Sequence, residues 1–349
     1  MSTLFTPLNL GCIHLTHRIA MATYYSQRAC VPGTLLIAEA SFISPSQIGF
    51  ANGPGIYNEK QIAGWRTVTD AVHNQGSFIV CQLLAVGRAV DPAFARDRGV
   101  EVLSSSAIPL DAEHAVPRAM ALDEIQQTVT DFATAATNAM RAGFDAVEIH
   151  GAYGYLIDQF LQDTCNTRED TYGGSIAKRS RFALEVVQAV ARAVGPQRTA
   201  LRLSPWSRVQ GMRMADPVPQ FAHVIRELAA LGLAYLHLVS ARVHGFEDVD
   251  APVGEGLEFA FKLWSGPILV AGGFDAESAR RFVNAEGEDV GGRGNVVVVV
   301  GRPFTSNPDL VFRIREGIPL APYRRESFYT PRALEGFADF PFSDEFLNM

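Results

Sequence analysis

The sequence has no stretch able to cross a membrane as a helix. Its longest purely aliphatic run is Val296–Val300, against the ~20 apolar residues a span requires. Cysteine is scarce: Cys12, Cys30, Cys81 and Cys165 stand far apart, with no C-x-x-C pair and no histidine at ligand spacing. Four small thiols in a reducing compartment account for them. The 8 histidines are dispersed and form no H-E-x-x-H, so no metal site is expected. Basic charge is not in excess: 30 Lys+Arg face 37 Asp+Glu, a net −7, which argues against a nucleic-acid partner. Met1–Leu10 is neutral and carries Pro7 and Asn9, unlike the basic start and apolar stretch of a secretory signal. A cytoplasmic protein with neither a membrane nor a nucleic-acid partner is the expectation.

What is present is a repeat. A short apolar run, a Gly/Pro-punctuated loop and an amphipathic stretch recur eight times. The predicted strands are Arg18–Ala22, Leu35–Ala40, Phe78–Leu83, Ala146–His150, Thr199–Leu203, Tyr235–Val239, Ile268–Ala271 and Val296–Val300. Each is apolar on both faces, as parallel strands covered by helices must be. Between them, helices are predicted at Glu59–Gln75, Asp123–Ala142, Ala177–Val194, Val218–Leu231, Asp275–Ala285 and Asn307–Glu316. In the second, Ile125, Val129, Phe132, Ala136 and Met140 fall on one stripe, with Asp123 available as the cap. Leu8–Leu15 around Gly11 reads as a hairpin plugging one end of the sheet. Without a linker to divide the chain, the pattern predicts an α/β fold: one (β/α)8 TIM barrel with an N-terminal hairpin over residues 1–349. The competing doubly wound sheet would want a G-x-G-x-x-G after a strand, and none is present.

In such a barrel, chemistry sits at the C-terminal strand ends. There the third strand carries Gln82, the fourth His150 followed by Tyr153 and Tyr155, and the fifth Arg202. The seventh ends in Gly272-Gly273 and the eighth in Gly301-Arg302. Glycines without Cβ atoms let backbone N–H groups close on a phosphate, and an arginine neutralises it. A single Gly-Gly only permits a tight turn, but two such loops at adjacent strands favour the phosphate. Arg202 is costly to bury without an electron-rich partner. Gln82 offers an amide suited to a heterocycle edge. His150 reads equally as a packed core histidine or a functional one. Together these residues suggest a phosphorylated heterocyclic cofactor.

The same residues carry a resemblance. Glu148-Ile149-His150-Gly151, Tyr155-Leu156-Ile157-Asp158-Gln159-Phe160, Tyr172-Gly173-Gly174-Ser175, Arg202-Leu203-Ser204-Pro205 and Asn307-Pro308-Asp309-Leu310 resemble the old yellow enzyme family of FMN-dependent ene-reductases. The likeness runs through nearly the whole chain and is nearest to fungal members of secondary metabolism. It implies FMN as cofactor and NAD(P)H as reductant, serving the same pocket in turn. It also implies reduction of an activated C=C bond of a small natural product. Gln82, Arg202, Gly272, Gly273, Gly301 and Arg302 would hold the flavin, with Ala22 and Thr23 beside it. His150 would polarise the substrate carbonyl, Tyr155 would donate the proton, and Tyr153 and Tyr329 would line the substrate site.

Three positions depart from the family pattern. Tyr153 stands where an Asn or second His is usual, and Leu84 where a Trp is usual. Ala22 meets Thr23-Tyr24-Tyr25 almost directly, so the long loop after the first strand is missing, leaving a short helix at Thr23–Ala29. Non-redox isomerisation or cyclisation on the same barrel, or weakened flavin binding, are the alternatives these departures leave open.

Overall fold

The computed structural model describes residues 3–22, 25–244, 247–248, 254–284, 293–328, 330, 334–336 and 338–349. Eight strands form the barrel: β1 (Ile19–Ala22), β2 (Leu35–Ile37), β3 (Phe78–Leu84), β4 (Ala146–Gly151), β5 (Thr199–Leu203), β6 (Tyr235–Val239), β7 (Ile268–Ala271) and β8 (Val296–Val300), with the short Ser41–Phe42 as a ninth strand paired to β3. All pair in parallel with their neighbours, and β8 returns to β1 with Val299 opposite Ala20, closing a barrel. The helices that alternate with them are α1 (Tyr25–Arg28), α2 (Glu59–His73), α3 (Leu122–Arg141), α4 (Ile176–Val194), α5 (Val218–Leu228), α6 (Glu258–Leu263), α7 (Ala276–Asn284) and α8 (Leu310–Glu316), besides short helices in the loops. Among the described residues no helix is long and apolar enough to cross a membrane.

Strand parity sorts the side chains. Ala20, Leu35, Ile37, Val80, Ala146, Ala200, Tyr235, Leu269, Val297 and Val299 pack together inside the barrel. The residues between them face the helices in a separate, larger core. β-Branched valine tolerates burial on both faces of a pleated strand, which is why β8 is five valines. The hairpin Leu8–Leu10 with Ile13–Leu15 contributes Leu10, Ile13 and Leu15 to the inner core, so it plugs the barrel as the sequence suggested. Its turn needs Gly11, whose φ is +58° and whose Cβ would lie 2.1 Å from the Gln197 carbonyl oxygen.

Several boundaries differ from the sequence reading. β2 ends at Ile37 because the Glu39 N–H leaves the sheet to reach the Tyr25 hydroxyl at 2.7 Å. Asp123 does not cap α3; the cap position is Ala121, whose N–H is taken by the Glu124 carboxylate at 2.7 Å. The stripe from Ile125 to Ala136 is buried as expected, and Met140 packs beside it. α8 starts at Leu310, not Asn307, because the Asn307 side chain is spent on Pro303 and Ala321. α1 is a single turn from Tyr25, Thr23 and Tyr24 lying outside the described residues. What anchors this turn is Arg28. Its guanidinium is buried and donates to the carbonyls of Phe304 and Thr305. Tyr25 meets Trp65 of α2 edge-on at 5.7 Å. A one-turn helix is marginal by itself, so these tertiary contacts hold it in place.

Candidate active site

At the C-terminal mouth of the barrel, inward parity brings Gln82 of β3, Glu148 and His150 of β4, Arg202 of β5 and His237 of β6 together. Register places Gln82 opposite Glu148, and Arg202 opposite both His150 and His237. Gln82, Glu148, His150 and His237 are all buried. Gln82 Nε2 donates to Glu148 Oε1 at 2.6 Å, and His237 Nδ1 lies 2.8 Å from Glu148 Oε2. Glu148 and His237 were not singled out from the sequence. Strand alternation alone turns each of them inward, Glu148 between Ala146 and His150 and His237 two residues after Tyr235, but it does not tell that the two meet.

Burial, reinforced by the Arg202 charge, pushes the His150 ring down to about 3, so it is neutral near pH 7. The Ala152 N–H points at His150 Nδ1 at 3.4 Å, leaving Nε2 to carry the hydrogen. His150 meets the Tyr155 ring edge-on at 4.9 Å and 87°, and Tyr153 at 6.3 Å. Leu84, in the place of the usual Trp, packs in one apolar cluster with Phe42 and Tyr155.

The turn after β4 is held from below. Tyr153 and Gly154 both have positive φ, +54° and +78°, a conformation costing a bulky residue about 1–2 kcal/mol. Tyr153 N–H donates to Ser204 Oγ at 2.8 Å and Gly154 N–H to Asp158 Oδ2 at 2.9 Å. Asp158 is itself buried and takes Gln162 Nε2 at 3.0 Å. Burial lifts its carboxyl to about 7. Beside it, Gln159 is saturated: it donates to Val86 and Gly154 and accepts from the Arg88 N–H and Ser104. Neither Asp158 nor Gln159 was given a role from the sequence, although both lie in the motif following Tyr155.

Arg202 lies beneath Tyr153, its guanidinium carbon 5.2 Å from the ring centroid, and its buried Nε has no partner. Across the mouth, β7 runs into Gly272 and Gly273, and β8 into Gly301 and Arg302. A Cβ on Gly272 would lie 1.9 Å from the Ser240 hydroxyl, a buried Oγ that also lacks a partner. Gly273 has φ +64°. Gly301 has open space where a Cβ would be, with φ −97° and a ψ of −91° outside the usual helical and extended regions. Arg302 opens the helix Arg302–Ser306, its guanidinium 5.8 Å from the Tyr323 ring. Ala22 ends β1, but its side chain, like Thr23 and Tyr329 entirely, lies outside the described residues. No group of metal-binding side chains occurs among the described residues.

Orphaned donors at Arg202 and Ser240, an amide at Gln82 and two glycine turns suit a heterocycle with carbonyl and N–H edges and an anionic tail. Comparison with known proteins agrees. Residues 3–321 match the NADH:flavin oxidoreductase / NADH oxidase family. The chain is 51% identical over 367 aligned positions to the chanoclavine-I aldehyde reductase fgaOx3 of Penicillium roqueforti, covering 99% of this chain and 98% of that one. It is 45% identical to a protein of Claviceps fusiformis named a probable inactive dehydrogenase, easA, covering 99% and 96%. The crystal structure of Old Yellow Enzyme from Pichia sp. AKU4542 superposes with a TM-score of 0.88 at 35% identity, covering 98% of this chain and 94% of that one. The chain belongs to the NADH:flavin oxidoreductase family. Within it, the fold and the relatives define an old yellow enzyme-type flavoenzyme that uses FMN as cofactor and NAD(P)H as reductant.

Proposed function

We propose that this enzyme reduces the activated C=C bond of a small α,β-unsaturated carbonyl compound, with residues 1–349 forming one flavin-binding unit. The observation that carries the reading is the pairing of a buried, neutral His150 with the edge of Tyr155 beside Arg202. Gln82 and Arg202 would bind the flavin pyrimidine edge, and Gly272, Gly273, Gly301 and Arg302 its phosphate, with Ala22 and Thr23 alongside. Bound FMN supplies hydride chemistry between nicotinamide and alkene. His150 Nε2–H donates to the substrate carbonyl oxygen, drawing electron density from the β-carbon. Tyr155 delivers the proton to the α-carbon. Tyr153 and Tyr329 border the substrate. An aldehyde is the carbonyl compound in the name of the Penicillium relative, and a small unsaturated aldehyde is the substrate class proposed here.

Anaerobic stopped-flow on the purified holoenzyme tests this. NADPH should bleach the flavin, and an unsaturated aldehyde or enone should restore its colour with saturated product. Product formed without nicotinamide consumption would instead support isomerisation or cyclisation. Bleaching without reoxidation by any unsaturated carbonyl compound would refute the C=C assignment.

A further inference from the structure

Below Arg202, one layer deeper in the barrel, lies a carboxylate that the proposed chemistry does not use. Glu148 is fully buried and reaches two side chains on different strands, Gln82 on β3 and His237 on β6. We propose that Glu148 is a positioning residue for the flavin: it fixes the Gln82 amide and the His237 ring in single orientations and sets a negative charge under Arg202. The inference rests on the reading that Gln82 and Arg202 hold the pyrimidine edge.

An amide presents oxygen and nitrogen about equally well unless its partner distinguishes them. An ionised carboxylate only accepts, so it selects the nitrogen of Gln82 and leaves the Gln82 oxygen as acceptor for a ring N–H. By the same logic His237 carries its hydrogen on Nδ1, and its buried Nε2 is left without a partner. Burial opposes the charge on Glu148, but His237, Arg202 and Gln82 outweigh it and hold the carboxyl at about 2. Arg202 faces this charge while its Nε stays unpartnered. The carboxylate thus offsets the arginine without occupying that donor. The positive field available to reduced flavin is then the difference between the two charges.

Two substitutions separate orientation from charge. Glu148→Gln removes the charge; its single amide oxygen still accepts from Gln82 when its NH2 turns to His237 Nδ1, the imidazole hydrogen then moving to Nε2. The variant's FMN reduction potential should rise by at least a tenfold change in the reduced-to-oxidised ratio, ~30 mV for two electrons. Glu148→Asp keeps the charge and draws back from Gln82. FMN release from the diluted holoenzyme, read by flavin fluorescence, should then show at least tenfold weaker binding with a smaller change in potential. In a Gln82→Met background the effect of Glu148→Asp on FMN release should vanish; persistence there would make the role merely structural. An unchanged potential in Glu148→Gln, or unchanged FMN release in Glu148→Asp, overturns the proposal. If Glu148→Gln gives no folded protein, Glu148→Asp with and without Gln82→Met decides alone. A wild-type chain that binds FMN but reduces no unsaturated carbonyl compound would refute the functional reading and leave these measurements interpretable.

Discussion

The Tyr153 ring covers the Arg202 guanidinium at 5.2 Å, while the backbone of the same tyrosine sits in the left-handed region at φ +54°. One residue therefore carries both a backbone cost and a contact with the arginine proposed to face the flavin. Asparagine tolerates that backbone better and has no ring to lay over Arg202. Tyr153→Asn should gain about 1 kcal/mol in denaturant unfolding. It should also raise turnover per bound flavin on cyclohexenone by roughly tenfold to a hundredfold, about what one added oxyanion donor contributes. Tyr153→Phe keeps the ring and the strain and should give neither gain. No gain in Tyr153→Asn would show that the ring is packing.

Tyr155→Phe removes the proposed proton donor without disturbing the edge-on contact with His150. The oxidative half-reaction with an enone should slow by ~10²–10⁴, the usual span for general-acid catalysis. Bleaching by NADPH should change far less. Equal slowing of both halves, followed separately by stopped-flow, would count against Tyr155 as the donor.

Gly272→Ala forces a Cβ to within 1.9 Å of Ser240 Oγ, so the turn after β7 must shift. FMN affinity should fall at least tenfold, as a displaced phosphate loses charge-assisted hydrogen bonds of about 1.5–3 kcal/mol each. Ser240→Gly in the same chain should recover part of the loss. Gly301→Ala meets no side chain, but its ψ of −91° lies outside the helical and extended regions, so it should lower the melting temperature slightly as well as weaken FMN binding, measured by calorimetry and flavin fluorescence.

Two buried histidines and one buried carboxyl pull the acid response in opposite directions. His150 and His17 are both pushed down to about 3, chiefly by burial, from an unfolded value near 6.5. Between those values the unfolded chain binds more protons, so stability falls as pH drops through the window, by up to about 1.4 kcal/mol per pH unit and ring. Asp158 acts in the opposite sense. Burial raises it to about 7, so between 3.8 and 7 the folded chain binds the extra proton and stability falls as pH rises. Asp158→Asn removes that opposing slope. Its melting temperature should climb more steeply from pH 4.5 to 6.5 than that of the wild type, which differential scanning calorimetry across that range would measure.

Strands β5 to β8 were legible to the residue because each is a short, mostly apolar run, with Pro267 and Gly272 bounding β7 and Gly301 ending β8. The residues proposed at the mouth were legible because polar side chains stand out at the ends of such runs. Glu148 and His237 were not, since they lie 89 positions apart in sequence and meet only when β4, β5 and β6 adopt their register. The helix Leu156–Leu161 also escaped notice, lying inside a motif taken for its chemistry. α1 shows the limit most clearly: nothing local to Tyr25–Arg28 announces that Arg28 will find its acceptors at Phe304 and Thr305.

The hairpin of Leu8–Leu15 closes one end of the barrel with Leu10, Ile13 and Leu15. A chamber with a single doorway imposes a queue. Reductant, the proposed aldehyde substrate and its product must all pass the mouth around His150 and Tyr153, and none can leave by the floor. An abundant substrate therefore obstructs the nicotinamide it depends on, so turnover should pass through a maximum and decline as the aldehyde concentration rises, and decline less when NADPH rises with it.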